Sequence, residues 1–443
     1  MNATRSLLIP VLFFCFVEEQ ALAVCLPSKS KIAATYRFPV VVKVPESLWS
    51  TPVEQFEAWS FKNAKWHRVA IQVDEKNADD SYVLENGIPY TKNTDNGLAD
   101  GNDEIAMHGQ DLGLPIDLKD VSQVMKDRLQ KIAVIHVCSQ DLYLGSMLVG
   151  HSKLFATWPF DAIFDRDKKI AEGRSYRYHF HESQPMLIGR VIQKSQGQEL
   201  PAFEESIFAM PMIPAFWLMP GLTFDHSDFS SEIECWRSGP VRSIVAVGVK
   251  MRKFFSLLKL HLFTELVFYQ DYFQIPTKIE MTFDAFRFLN YGSGIGYVLR
   301  FPKEGGWLLK SNLAPLPEAP QRDRDGMGVV HQTAKQYSPD GIFRAWGTRT
   351  LGSFMVQVRV DEKALDLVPP PYLLRQDTFE SAVHKRAWSW IQGLKGNLGV
   401  FIDISQVPRG EYDFTLDLML SDRANDGFTD FRPMTWEWQK LPQ

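Results

Sequence analysis

The sequence predicts a mainly β protein: an N-terminal β-sandwich module followed by a larger antiparallel β-sandwich domain, with a minor helix near 377–396. Three observations predict it. Apolar runs are short, β-branched and bounded by polar residues or proline, as in "RFPVVVKVP" (38–46), "HRVAIQVDE" (67–75) and "KIAVIHVCS" (131–139). The segment "EYDFTLDLMLSD" (411–422) alternates, with Phe414, Leu416, Leu418 and Leu420 on one face and Asp413, Thr415 and Asp417 on the other. That period of two is what a half-buried antiparallel strand requires. Aromatic residues make up 13% of the chain, which supplies large inward side chains for a two-sheet core.

From the start of the chain, residues 1–23 read as a signal peptide. Arg5 gives a positive beginning, "LLIPVLFFCFV" (7–17) an apolar stretch too short for a comfortable membrane span, and "ALA" (21–23) small residues for cleavage. The expected location is therefore the periplasm or the extracellular space. A lipoprotein attached through Cys25 is the lesser alternative, because Val24 stands where a small residue is normally needed. No later run approaches the roughly 20 apolar residues of a spanning helix, so no transmembrane segment is expected after signal removal.

The module is expected over 28–150. Residues 151–173 mix proline, charge and scattered aromatics without a period and read as a linker. The large domain is expected over 174–443, built from strand-like runs such as "RSYRYHFHES" (174–183), "RSIVAVGVK" (242–250) and "TKIEMTFDAFRF" (277–288). Near its end, "DTFESAVHKRAWSWIQGLKG" (377–396) has a capping Asp377, Glu380 three residues on, and terminal glycines, the marks of a helix.

The formal net charge of −5 gives no reason to expect nucleic acid, which needs a basic face. Once the signal is gone, Cys25, Cys138 and Cys235 allow a single disulfide, and the sequence does not choose the pair. There is no CxxC pair, GxSxG elbow, P-loop, HExxH or dinucleotide glycine fingerprint.

The stretch "NTDNGLADGNDEIAMHGQDLG" (93–113) gathers acids, amides and glycines. No register places ligands at positions one, three and five with glycine at six, so a standard EF-hand loop is excluded. Two readings remain. Asp95, Asp100, Asp103 and Glu104 can form a looser oxygen cage for Ca²⁺. The simpler reading is a turn, in which Asp and Asn bond their own backbone and glycine supplies positive φ.

The pairing of "RVAIQVDE" (68–75) with "DGNDEIAMHGQDLG" (100–113) resembles the N-terminal β module of secreted bacterial polysaccharide-processing families, rhamnogalacturonan- and ulvan-related ones among them. "SGPVRSIVAVGV" (238–249) is similar to a Gly-Pro-x-Arg strand start found with the galactose-mutarotase-like sandwich of such proteins. The resemblance covers about 60 of 443 residues and reaches no catalytic residue. It implies a carbohydrate setting and a sandwich architecture.

Candidate chemistry concentrates in three places. If 174–183 is extended, Arg177, His179 and His181 share one face, where Arg can neutralise a sugar carboxylate and His can take a proton. Tyr178, on the opposite face, is a candidate sugar contact. "TFDHSDFSSEIECWR" (223–237) supplies Asp225 and His226, which can complete a site begun by those histidines, although such spacing is also ordinary turn chemistry. "FAMPMIPAFWLMPGL" (208–222) offers Phe216 and Trp217 as flat faces for sugar rings, or alternatively as core beneath a loop. The expected function is recognition of carbohydrate by an exported protein, with polysaccharide lyase as the enzymatic form. The alternative is a non-enzymatic protein binding an envelope component or a protein partner.

Overall fold

The structure is a computed structural model, and its description covers residues 38–88, 95–139, 142–152, 158–160, 162–215, 222–251, 262–281, 284–290, 293–302, 308–311, 342–349, 352–360, 372–374, 398–421 and 435–439. The signal stretch, Cys25, Phe216, Trp217 and the helix expected at 377–396 lie outside the described residues.

Strands dominate, as expected. Pro39–Lys43 and Ile71–Asp74 flank Glu104–His108 in a three-stranded antiparallel sheet. A five-stranded sheet runs Thr435–Gln439, Gln130–Ser139, Leu142–His151, Phe56–Lys62, Lys65–Val69. Between these two sheets lies a core that includes Val40, Val42, Val73, Ile105, Met107, Ile135 and Met147. The module expected over 28–150 is thus a β-sandwich, and its sheet also receives Thr435–Gln439 from the far end of the chain, paired with Gln130–Ser139.

The larger sandwich is built on a nine-stranded sheet, with Gly410–Ser421 between Tyr272–Met281 and Gly352–Val360 near its centre. Two five-stranded sheets contribute to the same core, one ordered from Gln198–Phe203 to Ile163–Asp165, the other from Leu222–Asp225 to Tyr372–Leu374. The stretch read as an aperiodic linker holds two short strands of the first of these, Ile163–Asp165 and Ile170–Glu172. Their brevity explains why no period shows.

Alternation decides which core each residue joins. Val245 and Val247 enter the large core. Ile244 and Ala246 point the other way, where they meet Ala106, Val41 and Tyr82 of the module. The three-stranded sheet is therefore covered on both faces, and all four residues of Ile71–Asp74 are buried. Covering both faces gives a run of buried residues rather than an in–out alternation. Among the described residues no helix is long and apolar enough to cross a membrane.

Candidate functional site

Three stretches singled out in the sequence meet where the module's inner sheet packs on the nine-stranded sheet. Gln72 and Asp74 come from "RVAIQVDE", Glu104 from the acidic stretch, and Arg242 from "SGPVRSIV". Gln72 and Asp74 share one strand face, and Glu104 and Ala106 face the same way on the neighbouring strand. Arg242 is 1% exposed, and each of its three guanidinium nitrogens donates a hydrogen bond. Nε donates to Asp74 Oδ2 at 2.7 Å, Nη2 to Glu104 Oε2 at 2.8 Å, and Nη1 to the Tyr269 hydroxyl at 3.0 Å.

The second layer of this junction is as complete. Gln72 Oε1 accepts from the backbone N–H groups of Val241 and Arg242 at 3.2 and 3.0 Å, and its Nε2 donates to Asp74 at 2.7 Å. The approach requires glycine at 239, because a Cβ there would lie 2.2 Å from Gln72 Oε1. Lys76 Nζ and the Tyr82 hydroxyl hold the two oxygens of Glu104 at 2.5 and 2.7 Å. Burial pushes the Glu104 carboxyl up, but Arg242 and Lys76 outweigh it and bring it to about 2. Burial and nearby acidic groups push the Tyr82 phenol well up, against the pull of Arg242.

The acidic stretch behaves as a turn. Asp100 Oδ1 accepts from Asn102 N–H at 3.0 Å, and Asn96 Oδ1 from Leu98 N–H at 2.9 Å. Gly97 takes φ of +75°. Asp103 is 0% exposed and ties the turn down, accepting from Lys76 N–H at 2.8 Å and Asp100 N–H at 2.9 Å. Glu104 turns away into the Arg242 junction. The four proposed ligands Asp95, Asp100, Asp103 and Glu104 therefore do not face one point, and among the described residues no group of three or more His, Cys, Asp or Glu is arranged to hold a metal. The physical reason is that backbone N–H groups and cations already occupy Asp103 and Glu104.

Beside this turn, burial and then the charges of Asp95 and Asp103 raise Glu75 to about 7. Burial raises Asp103 to about 6, and Glu265, which accepts from Tyr82 N–H, to about 7. Sequence reasoning quoted these stretches but did not assign roles to Gln72, Asp74, Glu75 or Arg242. The readable signal was polarity inside apolar runs: Gln and Asp within "VAIQVD", and Arg after Gly-Pro.

The strand Tyr176–Phe180 has the expected alternation. Arg177 and His179 are half-buried on its outer side, while Tyr176, Tyr178 and Phe180 enter the large core. Arg177 is already bridged, with Nη1 to Glu199 at 2.9 Å and Nη2 to Glu172 at 3.3 Å. Burial, then Arg177 and its cross-strand neighbour Arg190, lowers the His179 imidazole and so favours its neutral form. Its Nε2 is buried and has no hydrogen-bond partner. His181 lies just past the strand end, 3.4 Å from the Ser183 hydroxyl.

One sequence expectation needs correction here, and the turn reading of Asp225 is the one the structure displays. Tyr178, a candidate sugar contact, is 0% exposed and packs edge-on against Phe180, Phe268 and Phe273, because its strand face is the core face. Asp225 is a capping residue: its carboxylate accepts from Ser227 N–H at 2.8 Å, within a reciprocal box with Asp228. His226 sits in that capped turn, its Nδ1 unpartnered, and no hydrogen bond joins it to His179 or His181.

No protein-family model and no curated protein matches the chain. Among solved structures, an alpha-mannosidase from Enterococcus faecalis V583 is similar at 10% identity and a TM-score of 0.46, over 94% of this chain and 46% of its own. A glycosyl hydrolase family 38 protein from Enterococcus faecalis follows at 9% identity and 0.43, over 94% of this chain and 48% of its own. A proposed aldose 1-epimerase from Escherichia coli K12 reaches 8% and 0.31, over 60% of this chain and 99% of its own. The chain spans about half the length of the first two. Scores below 0.5 at such identities assign neither family nor activity.

Proposed function

We propose that the chain is an exported carbohydrate-recognising protein in which the N-terminal module and the large sandwich form one platform. The observation that carries this reading is the convergence of three sequence stretches on Arg242. Each resembles part of the secreted polysaccharide-processing architecture, and here they are three sides of one buried contact. Export is part of the same reading and rests on the apolar run at 7–17.

The enzymatic form of the proposal is a lyase acting on acidic polysaccharide, with His179 as base. His179 is favoured in the neutral state that a base requires, and Arg177 and Arg190 flank it. The test is calorimetric titration of the full chain with uronic-acid and neutral oligosaccharides, alongside ultraviolet detection of unsaturated uronate. Glycan binding with an absorbing product that His179→Ala abolishes is the expected result. No binding of any glycan overturns the proposal; binding without product overturns the lyase form alone.

A further inference from the structure

The inner faces of a sandwich normally interdigitate and close on each other. Along Gly410–Ser421 the inward residues are Phe414, Leu416, Leu418 and Leu420, and three of them are closed off, at 5%, 1% and 2% exposure. Leu416 is the exception: it is only partly buried, although its strand lies near the centre of the nine-stranded sheet. Val249 on Arg242–Met251 packs against the same core and is also only partly buried. So do Tyr297 on Gly294–Arg300 and Val400 on Leu398–Asp403, which belong to the facing sheet. All four line one cavity.

The cavity is a slot that runs across the strands. On the nine-stranded side five neighbouring strands line it, from Val249 through Thr264, Ile275 and Phe414 to Val358. On the facing side three neighbouring strands line it, Glu205–Met212, Gly294–Arg300 and Leu398–Asp403. Strands stand about 4.8 Å apart, so four gaps on one side and two on the other give a length of roughly 10–19 Å. A water-sized sphere has ≈ 90 Å³ of room for its centre, which over that length is a bore roughly 5–6 Å wide. The slot is partly open to solvent.

Its lining is hydrocarbon except for three threonines and Tyr297. Thr264 Oγ1 already donates to the Pro276 carbonyl at 2.5 Å. An ordered water needs two to four polar partners, and an apolar cavity stays dry and takes up apolar guests. A sugar is a poor occupant, because its hydroxyls would be buried against a lining with few groups to bond them. A long, narrow, apolar space suits an unbranched hydrocarbon, and its width admits one chain. We propose that this slot binds a single long alkyl or acyl chain, that of a fatty acid or of a glycolipid, with the polar head left in solvent. This inference goes beyond the carbohydrate reading and does not depend on it.

The test titrates the full chain calorimetrically with dodecanoate and with dodecyl maltoside, each below its micelle concentration, and with maltose as the control without a chain. The variants are Val400→Phe and Leu416→Phe, which fill the slot from opposite sheets, with near-wild-type thermal midpoints as the folding control. Binding of a chain-bearing compound with a negative heat-capacity change, weakened at least tenfold in both variants, supports the slot. Dodecanoate binding alone assigns the chain to a free fatty acid, and dodecyl maltoside binding alone assigns it to a glycolipid. Unchanged affinity in both variants overturns the site. Equal affinity for maltose and dodecyl maltoside, with no binding of dodecanoate, overturns the ligand class. No binding of either chain overturns the inference and leaves the carbohydrate reading as it stands. Should one variant unfold, the other carries the test from the opposite sheet.

Discussion

Arg242→Met should cost the protein about 3–5 kcal/mol, the range for removing one partner of a buried ion pair. Methionine keeps most of the unbranched stem, so the substitution removes charge more than volume. In the native protein the guanidinium satisfies Asp74, Glu104 and Tyr269 at 2.7, 2.8 and 3.0 Å. Glu104 would still have Lys76 and Tyr82. Asp74, 1% exposed, would keep Gln72 at 2.7 Å and the longer Arg237 contact at 3.5 Å, so its carboxylate carries most of the loss. Urea unfolding followed by tryptophan emission measures the change. Adding Asp74→Asn should recover part of it, with a coupling energy of about 1–3 kcal/mol for groups in direct contact. A loss under about 1 kcal/mol, or strict additivity of the two substitutions, refutes the assignment of Arg242 as the keystone of the junction.

Gly239→Ala should destabilise by about 1–3 kcal/mol, since its Cβ displaces Gln72 and leaves the Val241 and Arg242 N–H groups unsatisfied; a wild-type urea midpoint counts against it. Tyr178→Phe should be neutral or stabilising by up to about 1 kcal/mol, because the buried hydroxyl has no partner, and a large drop in thermal midpoint would contradict that. Glu75 and Glu265, raised from 4.5 to about 7, keep protons in the folded state that the unfolded chain releases, so stability falls as pH climbs from 4.5 through 7. Glu104, lowered from 4.5 to about 2, acts oppositely and costs stability below 4.5. With Asp103, raised from 3.8 to about 6, adding to the decline, the thermal midpoint should therefore peak at about pH 4 and fall towards 8, with Glu265→Gln flattening the decline; a rise from 5 to 8 refutes the assignment.

The architecture was legible where one residue decides one face. Period-two runs such as 411–422 identified strands, and in the structure Phe414, Leu418 and Leu420 lie in the large core. Asp417, on the opposite face, is fully buried and held by Arg359, Gln357 and Tyr272. Polarity in an alternating strand marks the second face, but that face meets solvent only if no other layer covers it. The same limit explains Gln72, Asp74 and Arg242, whose partners lie up to 170 residues away in sequence. Tyr178 was misread for a related reason. Its alternation was clear, but which of the two faces turned inward depended on aromatic partners at 268 and 273.

The polarity of the junction also bears on how the module finds its place. Without those side chains, the inner sheet would meet the nine-stranded sheet largely through apolar groups such as Val41, Ala106, Ile244, Ala246, Met355 and Met419, which make no directional bond to fix a register. A one-residue slip of Ile71–Asp74 would turn Gln72 and Asp74 into the module core. A two-residue slip would keep the face but part Gln72 from the Val241 and Arg242 N–H groups. Only one register satisfies every group, so the charges select position even if they add little stability. Replacing Gln72, Asp74, Glu104 and Arg242 together with leucine or methionine separates the two roles. The expected product stays folded, losing no more than the about 1–3 kcal/mol that the unsatisfied Val241 and Arg242 N–H groups cost, yet shows broadened amide resonances in 71–74 and 241–247 from exchange between registers. Sharp, parent-like resonances in a stable product would mean that the apolar residues alone fix the docking.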